Sequence, residues 1–353
     1  MVPYLPPEIV RIILGHLSTL SDLARSCSTS KTFLTIAQPL LYKDIRFDIS
    51  ENAVFDSSGI LTTHILIEQA SRVLLTTLRR TPHLRQLIQH VEILGVVGAL
   101  VGLDEYKTHK VDLEELVKEI VGSFPSTRLV TLDNVSLLAD VDEAVHSLQS
   151  QRNDDEKHRA PVPAFSLVVP GLLGVRKRYR GAYERFQWIP FSTVGQQIDV
   201  EARLGHSLRT LRQLEIPLDN PTSLSLFHHL ERLSLRLSVR TPSSTVQSIS
   251  ATIDNLSSLQ ILILHGTARE EDLQLLLQSG LLARSLPPAL TQLSLAFRLI
   301  AEDFFSFLRD LPTTSNLKRF NCLSETEEME GVVEVFAKRG IRLSFDEDWD
   351  IQW

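Results

Sequence analysis

The stretch LRTLRQLEI at residues 208–216 ends in a pattern, leucine-x-x-leucine-x-apolar, that recurs along the chain. The other clear copies are Leu230-x-x-Leu233-x-Leu235, Leu259-x-x-Leu262-x-Leu264 and Leu290-x-x-Leu293-x-Leu295. Successive residues of a β-strand point to opposite faces, so the last two apolar residues of each copy share one face of a short strand. Strands that repeat the same apolar face can stack around one continuous core. We therefore expect a row of similar strands to dominate this part of the fold.

Weaker copies of the pattern, and stretches of helical character, flank and separate the clear copies. The weaker copies are Leu84-x-x-Leu87 leading to Val91-x-Ile93, residues 129–132, Leu317-x-x-Phe320-x-Cys322 and Ile341-x-Leu343-x-Phe345. Helical periodicity predicts lead-in helices at residues 113–121, 246–256, 271–277 and 329–339. This alternation of strand and helix predicts an α/β fold.

The repeated pattern resembles the degenerate leucine-rich repeats of F-box leucine-rich proteins. The penultimate apolar residues of the clear copies are 19, 29 and 31 residues apart, near the length of about 20 to 29 residues of such repeats. The asparagine or cysteine that regular repeats carry after the third leucine is missing, since Arg236 and His265 stand there. The resemblance implies an irregular leucine-rich-repeat solenoid over residues 48–353. A domain of βα units would alternate the same elements, but the recurrence of the pattern favours the solenoid.

The first 47 residues predict three short helices before the first strand. Pro6 and Pro7 fix the φ values of a helix start, and Glu8 suits the positive end of the helix dipole. The apolar residues of this first helix cover a broad face: Ile9, Val10, Ile12, Ile13, Leu14 and Leu17. A face this wide predicts packing partners on two sides of the helix.

This N-terminal segment, residues 1–47, resembles an F-box, especially the kind found in fungal F-box proteins. The resemblance rests on Leu5-Pro6-Pro7-Glu8-Ile9, on Ser30-Lys31-Thr32-Phe33 and on Pro39-Leu40-Leu41-Tyr42. In that family the first helices dock on a Skp-type adaptor, which links them to a cullin ubiquitin ligase. The resemblance assigns five residues to the adaptor-facing surface: Leu5, Pro6, Ile9, Leu17 and Leu23. The alternative is an ordinary N-terminal helical cap that packs on the repeats.

Residues 149–200 interrupt the repeats. The polar run 149–159 predicts a solvated loop, and residues 165–169 predict a strand. Basic and aromatic residues then interleave, a mixture that can hold an acidic peptide, a phosphate or a single-stranded nucleic acid. The candidate target-binding residues are Arg176, Lys177, Arg178, Arg180 and Trp188. The alternative is a plain surface loop.

The composition predicts a cytoplasmic or nuclear protein without a membrane segment, a metal or a cofactor. The 353 residues carry a net charge of -7, and the pI of about 5.9 argues against a general nucleic-acid binder. Cys27 and Cys322 are the only cysteines, too few for a disulfide framework or a cysteine zinc cluster. The common hydrolase, zinc-protease and nucleotide-loop motifs are missing. The adjacent His228 and His229 cannot share one face as paired metal ligands do.

Two functions from different classes fit these observations. The first is the substrate-recognition subunit of a cullin-type (SCF) ubiquitin ligase, which binds a Skp-type adaptor through the F-box and an unidentified protein target through the repeats. The second is a repeat scaffold for protein–protein interaction outside the ligase. Neither function is enzymatic. Adaptor binding separates the two.

Overall fold

A computed structural model of the chain describes residues 6–17, 19–55, 61–97, 110–133, 141–150, 163–170, 179–189, 200–217, 224–238, 241, 243–267, 270–323 and 329–345. The chain divides into two compact units, Met1–Val168 and Val169–Trp353. This boundary lies inside the segment 149–200. The N-terminal helices therefore share the first unit with the strands that follow them.

Three helices open the first unit, as the sequence predicts: α1 (Pro7–Gly15), α2 (Leu20–Cys27) and α3 (Lys31–Leu41). The N-caps of α2 and α3 are Thr19 and Ser30, whose hydroxyl oxygens accept hydrogen bonds from the backbone amides of Asp22 at 3.1 Å and Phe33 at 3.2 Å. The helices bury one small core, made of Val10, Leu14, Leu23 and Ala37. This core fixes which face of α1 points inward.

The first unit also contains an open mixed sheet. Its strands are β1 (Asp44–Phe55), β2 (Leu61–Ile67), β3 (His90–Val97), β4 (Lys110–Val111), β5 (Leu129–Asp133) and β6 (Ala164–Pro170), in the order β6-β5-β3-β1-β2-β4. Residues 164–168 of β6 belong to this unit. The neighbours among β1, β3, β5 and β6 are parallel, whereas β2 is antiparallel to β1 and β4. The helices are α4 (Gln69–Arg80), α5 (Pro82–Arg85), α6 (Leu113–Ser123) and α7 (Val141–Ser150). The predicted strands at 129–132 and 165–169 and the helix at 113–121 are confirmed.

The second unit contains seven parallel strands among its described residues. They are β7 (Arg185–Ile189), β8 (Gln213–Pro217), β9 (Arg232–Leu237), β10 (Ile261–Gly266), β11 (Gln292–Arg298), β12 (Arg319–Leu323) and β13 (Arg342–Ser344). Their order in the sheet is their order in the sequence, and each neighbour is parallel. The helices are α8 (Val200–Arg203), α9 (Ser243–Asp254), α10 (Glu270–Gln278), α11 (Leu281–Arg284), α12 (Ala301–Asp310) and α13 (Glu330–Lys338). The lead-in helices predicted near 246, 271 and 329 are confirmed.

The leucines of the repeated pattern form in-register rows in this second sheet. One row joins Leu214, Leu233, Leu262 and Leu293, which occupy paired positions on adjacent strands, and each is fully buried. Burying one such side chain contributes about 1.5–3 kcal/mol. The prediction that these residues share one buried strand face is therefore confirmed.

A cluster of four phenylalanines closes the core near the end of the second unit. Phe320 of β12 extends the leucine row, since it pairs with Leu293. Its ring centroid lies 5.1 Å from Phe307, 5.2 Å from Phe336 and 5.7 Å from Phe304, each in an edge-to-face arrangement. The cluster packs α12 and α13 against β12.

Two predictions for residues 149–200 need correction. Gln149 and Ser150 lie in α7, so the helix runs two residues into the predicted loop; polar residues at a helix end can remain on its solvent side without breaking it. Residues 185–189, expected to be part of a binding surface or a surface loop, form β7. The remaining predicted loop, 151–159, and residues 171–178 lie outside the described residues.

An ion pair between α4 and α6 gives the first unit a pH-dependent contact. Arg79 Nε and one terminal nitrogen donate to the two carboxylate oxygens of Glu119 at 2.7 and 2.6 Å. The hydrogen bonds from Arg79 hold the pKa of Glu119 below its usual value of 4.5, against the opposing effect of burial. Because the pKa is lowered on folding, the pair stabilises the unit at neutral pH, and this contribution is lost as the pH falls through the pKa.

We expect Arg79→Gln to lower the free energy of unfolding at pH 7 by only about 0.5–1 kcal/mol, because the Arg79 side chain is 57% exposed and water screens the pair. The difference from wild type should shrink towards zero as the pH falls through the lowered pKa of Glu119, where this carboxylate becomes protonated. Urea unfolding at pH 7 and at a series of acidic pH values measures it. Arg80→Gln, at an exposed neighbouring position, is the control; an equal effect from that variant would contradict the assignment to the pair.

Candidate functional site

Among the described residues of the first unit, α1 exposes more large apolar side chains than any other helix. Pro7 begins the helix, and the side chains of Val10 and Leu14 fill the small helical core. Ile9, Ile12 and Ile13 then lie on the opposite side, since residues three and four apart share a helix face, and they are 43%, 58% and 49% exposed. We call these three residues the α1 face. Exposed apolar clusters are typical of surfaces that take part in binding.

The five predicted adaptor-facing residues do not all lie on this surface. Pro6 and Ile9 are exposed. Leu17 is half-buried against the helical core, and Leu23, only 7% exposed, belongs to that core, so it supports the helices from within and does not present a surface. Leu5 lies outside the described residues. The sequence pattern had included Ile12 and Ile13 in the broad stripe of the helix, but it could not show that they point outward.

A further exposed apolar residue lies on the helix that packs against α1. Leu34 of α3 is 40% exposed. Its neighbour Phe33 is partly buried against the helical core. The three N-terminal helices therefore share one buried core, and two of them, α1 and α3, also expose apolar side chains.

The predicted target-binding residues are also divided by the structure. Trp188, expected on a binding surface, is only 5% exposed in β7. Tyr179, Tyr183 and Phe186 are buried with it, and the ring centroids of Tyr179 and Phe186 are 5.5 Å apart. Arg180 is exposed, whereas Arg176, Lys177 and Arg178 lie outside the described residues. The aromatic half of the predicted surface is thus core, because alternate residues of β7 point inward.

The residues of β7–β10 that face away from the leucine row are mostly polar, although Ile261 and Ile263 of β10 share this face. We call the polar ones the polar face: Arg185, Gln187, Gln213, Glu215, Arg232, Ser234, Arg236 and His265. Glu215 is its centre and is 1% exposed. Its carboxylate accepts hydrogen bonds from Gln187 Nε2 at 3.1 Å and from Arg236 at 3.2 Å, while His265 Nε2 lies 3.5 Å away without hydrogen-bond geometry. The carboxylate is thereby satisfied by its two neighbouring strands.

Other site types find little support in the described part of the chain. No three or more histidine, cysteine, aspartate or glutamate side chains are grouped so that they could hold a metal ion there. A small cavity beside α8 is lined mainly by apolar side chains, including Phe186, Trp188 and Leu204. His228 and His229 are exposed in a turn. Among the helices described, none is long and apolar enough to cross a membrane.

No protein-family model matches the chain, and no curated protein matches it. The α1 face and the polar face are two candidate functional surfaces among the described residues.

Proposed function

We propose that this protein is the substrate-recognition subunit of a cullin-type ubiquitin ligase, and that the α1 face docks on a Skp-type adaptor. The observation that carries the proposal is the exposure of Ile9, Ile12 and Ile13 on a helix whose opposite side is already packed. The F-box-like sequence of residues 1–47 supplies the class of partner. Pro6 adjoins the same helix start and is exposed as well.

The α1 face can supply part of the binding free energy of a specific interface. Complete burial of one isoleucine side chain contributes about 1.5–3 kcal/mol, and the three residues are already partly covered, so together they supply only a part of a stable association. Association also costs translational and side-chain freedom. Polar contacts around the three residues would have to complete the interface, as is typical of apolar centres with polar rims.

We further propose that the second unit is a leucine-rich-repeat-like solenoid that binds the target. Its strand order follows the sequence without reversal, and its leucine rows repeat in register from strand to strand. A doubly wound α/β sheet instead reverses its strand order at a switch point. Stacking of similar units in one direction is typical of repeat proteins.

The mechanism under this proposal needs no bond-forming chemistry in this chain. The helices hold the ligase and the second unit holds the target, so that a target lysine stays close to a ubiquitin-charged enzyme. Tethering of this kind raises the effective concentration of the reacting groups. The residues of this chain bind and position, and the proposal assigns them no catalytic role and no cofactor.

Co-expression with a Skp-type adaptor tests the proposal. We expect the two chains to copurify and to run as a one-to-one complex when their mass is measured by light scattering after gel filtration. A monodisperse chain that leaves the adaptor behind would overturn the ligase assignment. The same solenoid would then be a scaffold outside the ligase.

A further inference from the structure

Five basic side chains gather at the corner of the second unit where β12 and β13 begin. Arg319 is the first residue of β12 and Arg342 the first of β13, and the backbone amide of Arg342 donates to the carbonyl oxygen of Lys318 at 2.8 Å. The last residues of α13 lie close by, because this helix leads directly into β13. All five side chains are exposed, and we call them the basic corner: Lys318, Arg319, Lys338, Arg339 and Arg342.

The basic corner has few carboxylates to neutralise it. In the described part of the chain one ion pair reaches it, between Lys338 and Glu334 at 2.9 Å. Arg339 donates instead to the backbone carbonyl oxygen of Leu311, at 3.0 Å. The chain as a whole carries a net charge of -7. The basic corner is therefore a local excess of positive charge on a protein that is otherwise acidic.

Two arginines of the basic corner lie side by side across the sheet. Arg319 and Arg342 occupy paired positions on neighbouring parallel strands, and such strands lie about 4.8 Å apart. Phe320 is buried in the core, so both arginines point to the opposite side of the strands, where they are exposed. Like charges held this close repel each other, although water screens them. A bound anion would replace this repulsion by charge-assisted hydrogen bonds.

The neighbouring residues of this face fit a peptide better than a nucleic acid. Gln292 and Asn321 are half-buried, and their amide groups donate to Ser294 Oγ at 3.3 and 2.9 Å. An amide side chain can also accept a hydrogen bond from a main-chain N–H group. Single-stranded nucleic acids instead need exposed aromatic rings on which bases stack. The aromatic residues of β11 and β12, Phe297 and Phe320, are buried.

We propose that the basic corner binds an acidic peptide segment of a partner protein, with Arg319 and Arg342 paired to its carboxylates. The proposal names the chemical class of the target that the second unit binds, and it rests on the proposed function only for its biological role. Peptide binding by the purified chain requires no adaptor. A failure of peptide binding would leave adaptor capture untouched, and the reverse also holds.

A titration followed by fluorescence anisotropy tests the proposal. The probe is a fluorescein-labelled peptide of alternating glutamate and serine, and the full chain is added at low ionic strength, where exposed charges are screened least. We expect saturable binding that a doubly substituted chain, Arg319→Gln with Arg342→Gln, weakens by about tenfold or more. Circular dichroism verifies that the substituted chain is folded, which we expect because both positions are exposed.

The matched control removes two positive charges elsewhere on the chain. Arg128 and Arg209 are exposed and have no ion-pair partner among the described residues, so Arg128→Gln with Arg209→Gln should change the affinity by less than about twofold. An equal loss from both double variants would overturn the site, because it would mean binding by general charge. Equal binding of a glutamine–serine peptide would overturn it as well.

Two further probes separate the peptide from other anions. A labelled oligothymidylate of the same net charge should bind more weakly than the acidic peptide, and tighter binding would show a nucleic-acid site instead. Inorganic phosphate at millimolar concentration should displace the peptide no more than sodium chloride of equal ionic strength does. Full displacement by phosphate alone would show a phosphate site and overturn the proposal.

Discussion

Replacement of Ile9 and Ile13 by aspartate is expected to abolish capture of a Skp-type adaptor. The two side chains are 43% and 49% exposed, so the substitutions place carboxylates on the surface and leave the helical core of Val10 and Leu14 intact. In the complex, two charges would be buried without partners, which costs several kcal/mol for each ion. That cost exceeds what the α1 face can supply. Copurification from co-expressing cells measures the loss.

The chain offers a matched control for this experiment. Val73 of α4 is 57% exposed, so Val73→Asp adds a charge to an apolar surface position on a different helix of the same unit. We expect this variant to bind the adaptor as the wild type does. Both variants should keep the circular-dichroism spectrum of the wild type. If the Ile9→Asp, Ile13→Asp chain captures the adaptor as well as the wild type does, the α1 face is not the docking surface.

Truncation of Phe320 is expected to destabilise the second unit strongly. The side chain is 0% exposed and its ring lies against three other phenylalanines. Phe320→Ala leaves a cavity between α12, α13 and β12, and such truncations cost about 3–5 kcal/mol. A lower midpoint of urea unfolding, followed by circular dichroism, is the expected result.

Phe305 provides the comparison for this substitution. It lies on α12 close to the cluster in sequence, yet it is 45% exposed, so Phe305→Ala should change the free energy of unfolding by about 0.5 kcal/mol or less. A similar loss in both variants would contradict the packing described for the cluster. No measurable loss in Phe320→Ala would contradict it more strongly.

The repeated leucine pattern was sufficient to predict most strands of the second unit. Alternation decides which strand residues share a face, and four copies with the same spacing leave little freedom in the choice of buried residues. Leu233 and Leu262 are buried in register as the pattern predicts. The lead-in helices were likewise visible, because their apolar residues recur at helical spacing.

The orientation of α1 could not be predicted, because apolar residues cover most of that helix. Val10 and Ile13 have similar hydrophobicity, so only the positions of α2 and α3 decide which of them is buried. Propensity and pattern carry no such information about tertiary packing. Leu23 of α2 is assigned to the adaptor surface by the F-box resemblance, which does not show how the side chain packs in this chain, and the structure places it in the helical core.

The burial of Trp188 also could not be predicted from the sequence. Arginines alternate with aromatic residues before and within β7. Phe186 and Trp188 are therefore the only two residues that show the alternation typical of a half-buried strand, and two residues are too few to predict one. The pattern was interpreted as one mixed surface. In the structure, β7 places the rings of Phe186 and Trp188 in the core and Arg185 on the polar face, because successive side chains of a strand point to opposite sides.

Site-specific photocrosslinking shows which surface of the chain contacts the adaptor. A photoreactive amino acid is placed at Ile12, the most exposed residue of the α1 face, or at Val73 as the reference position, and the chain is irradiated together with a Skp-type adaptor. We expect a covalent product with the adaptor from position 12 and none from position 73. A complex that forms without crosslinking from position 12, or that crosslinks equally from both positions, would contradict docking through the α1 face.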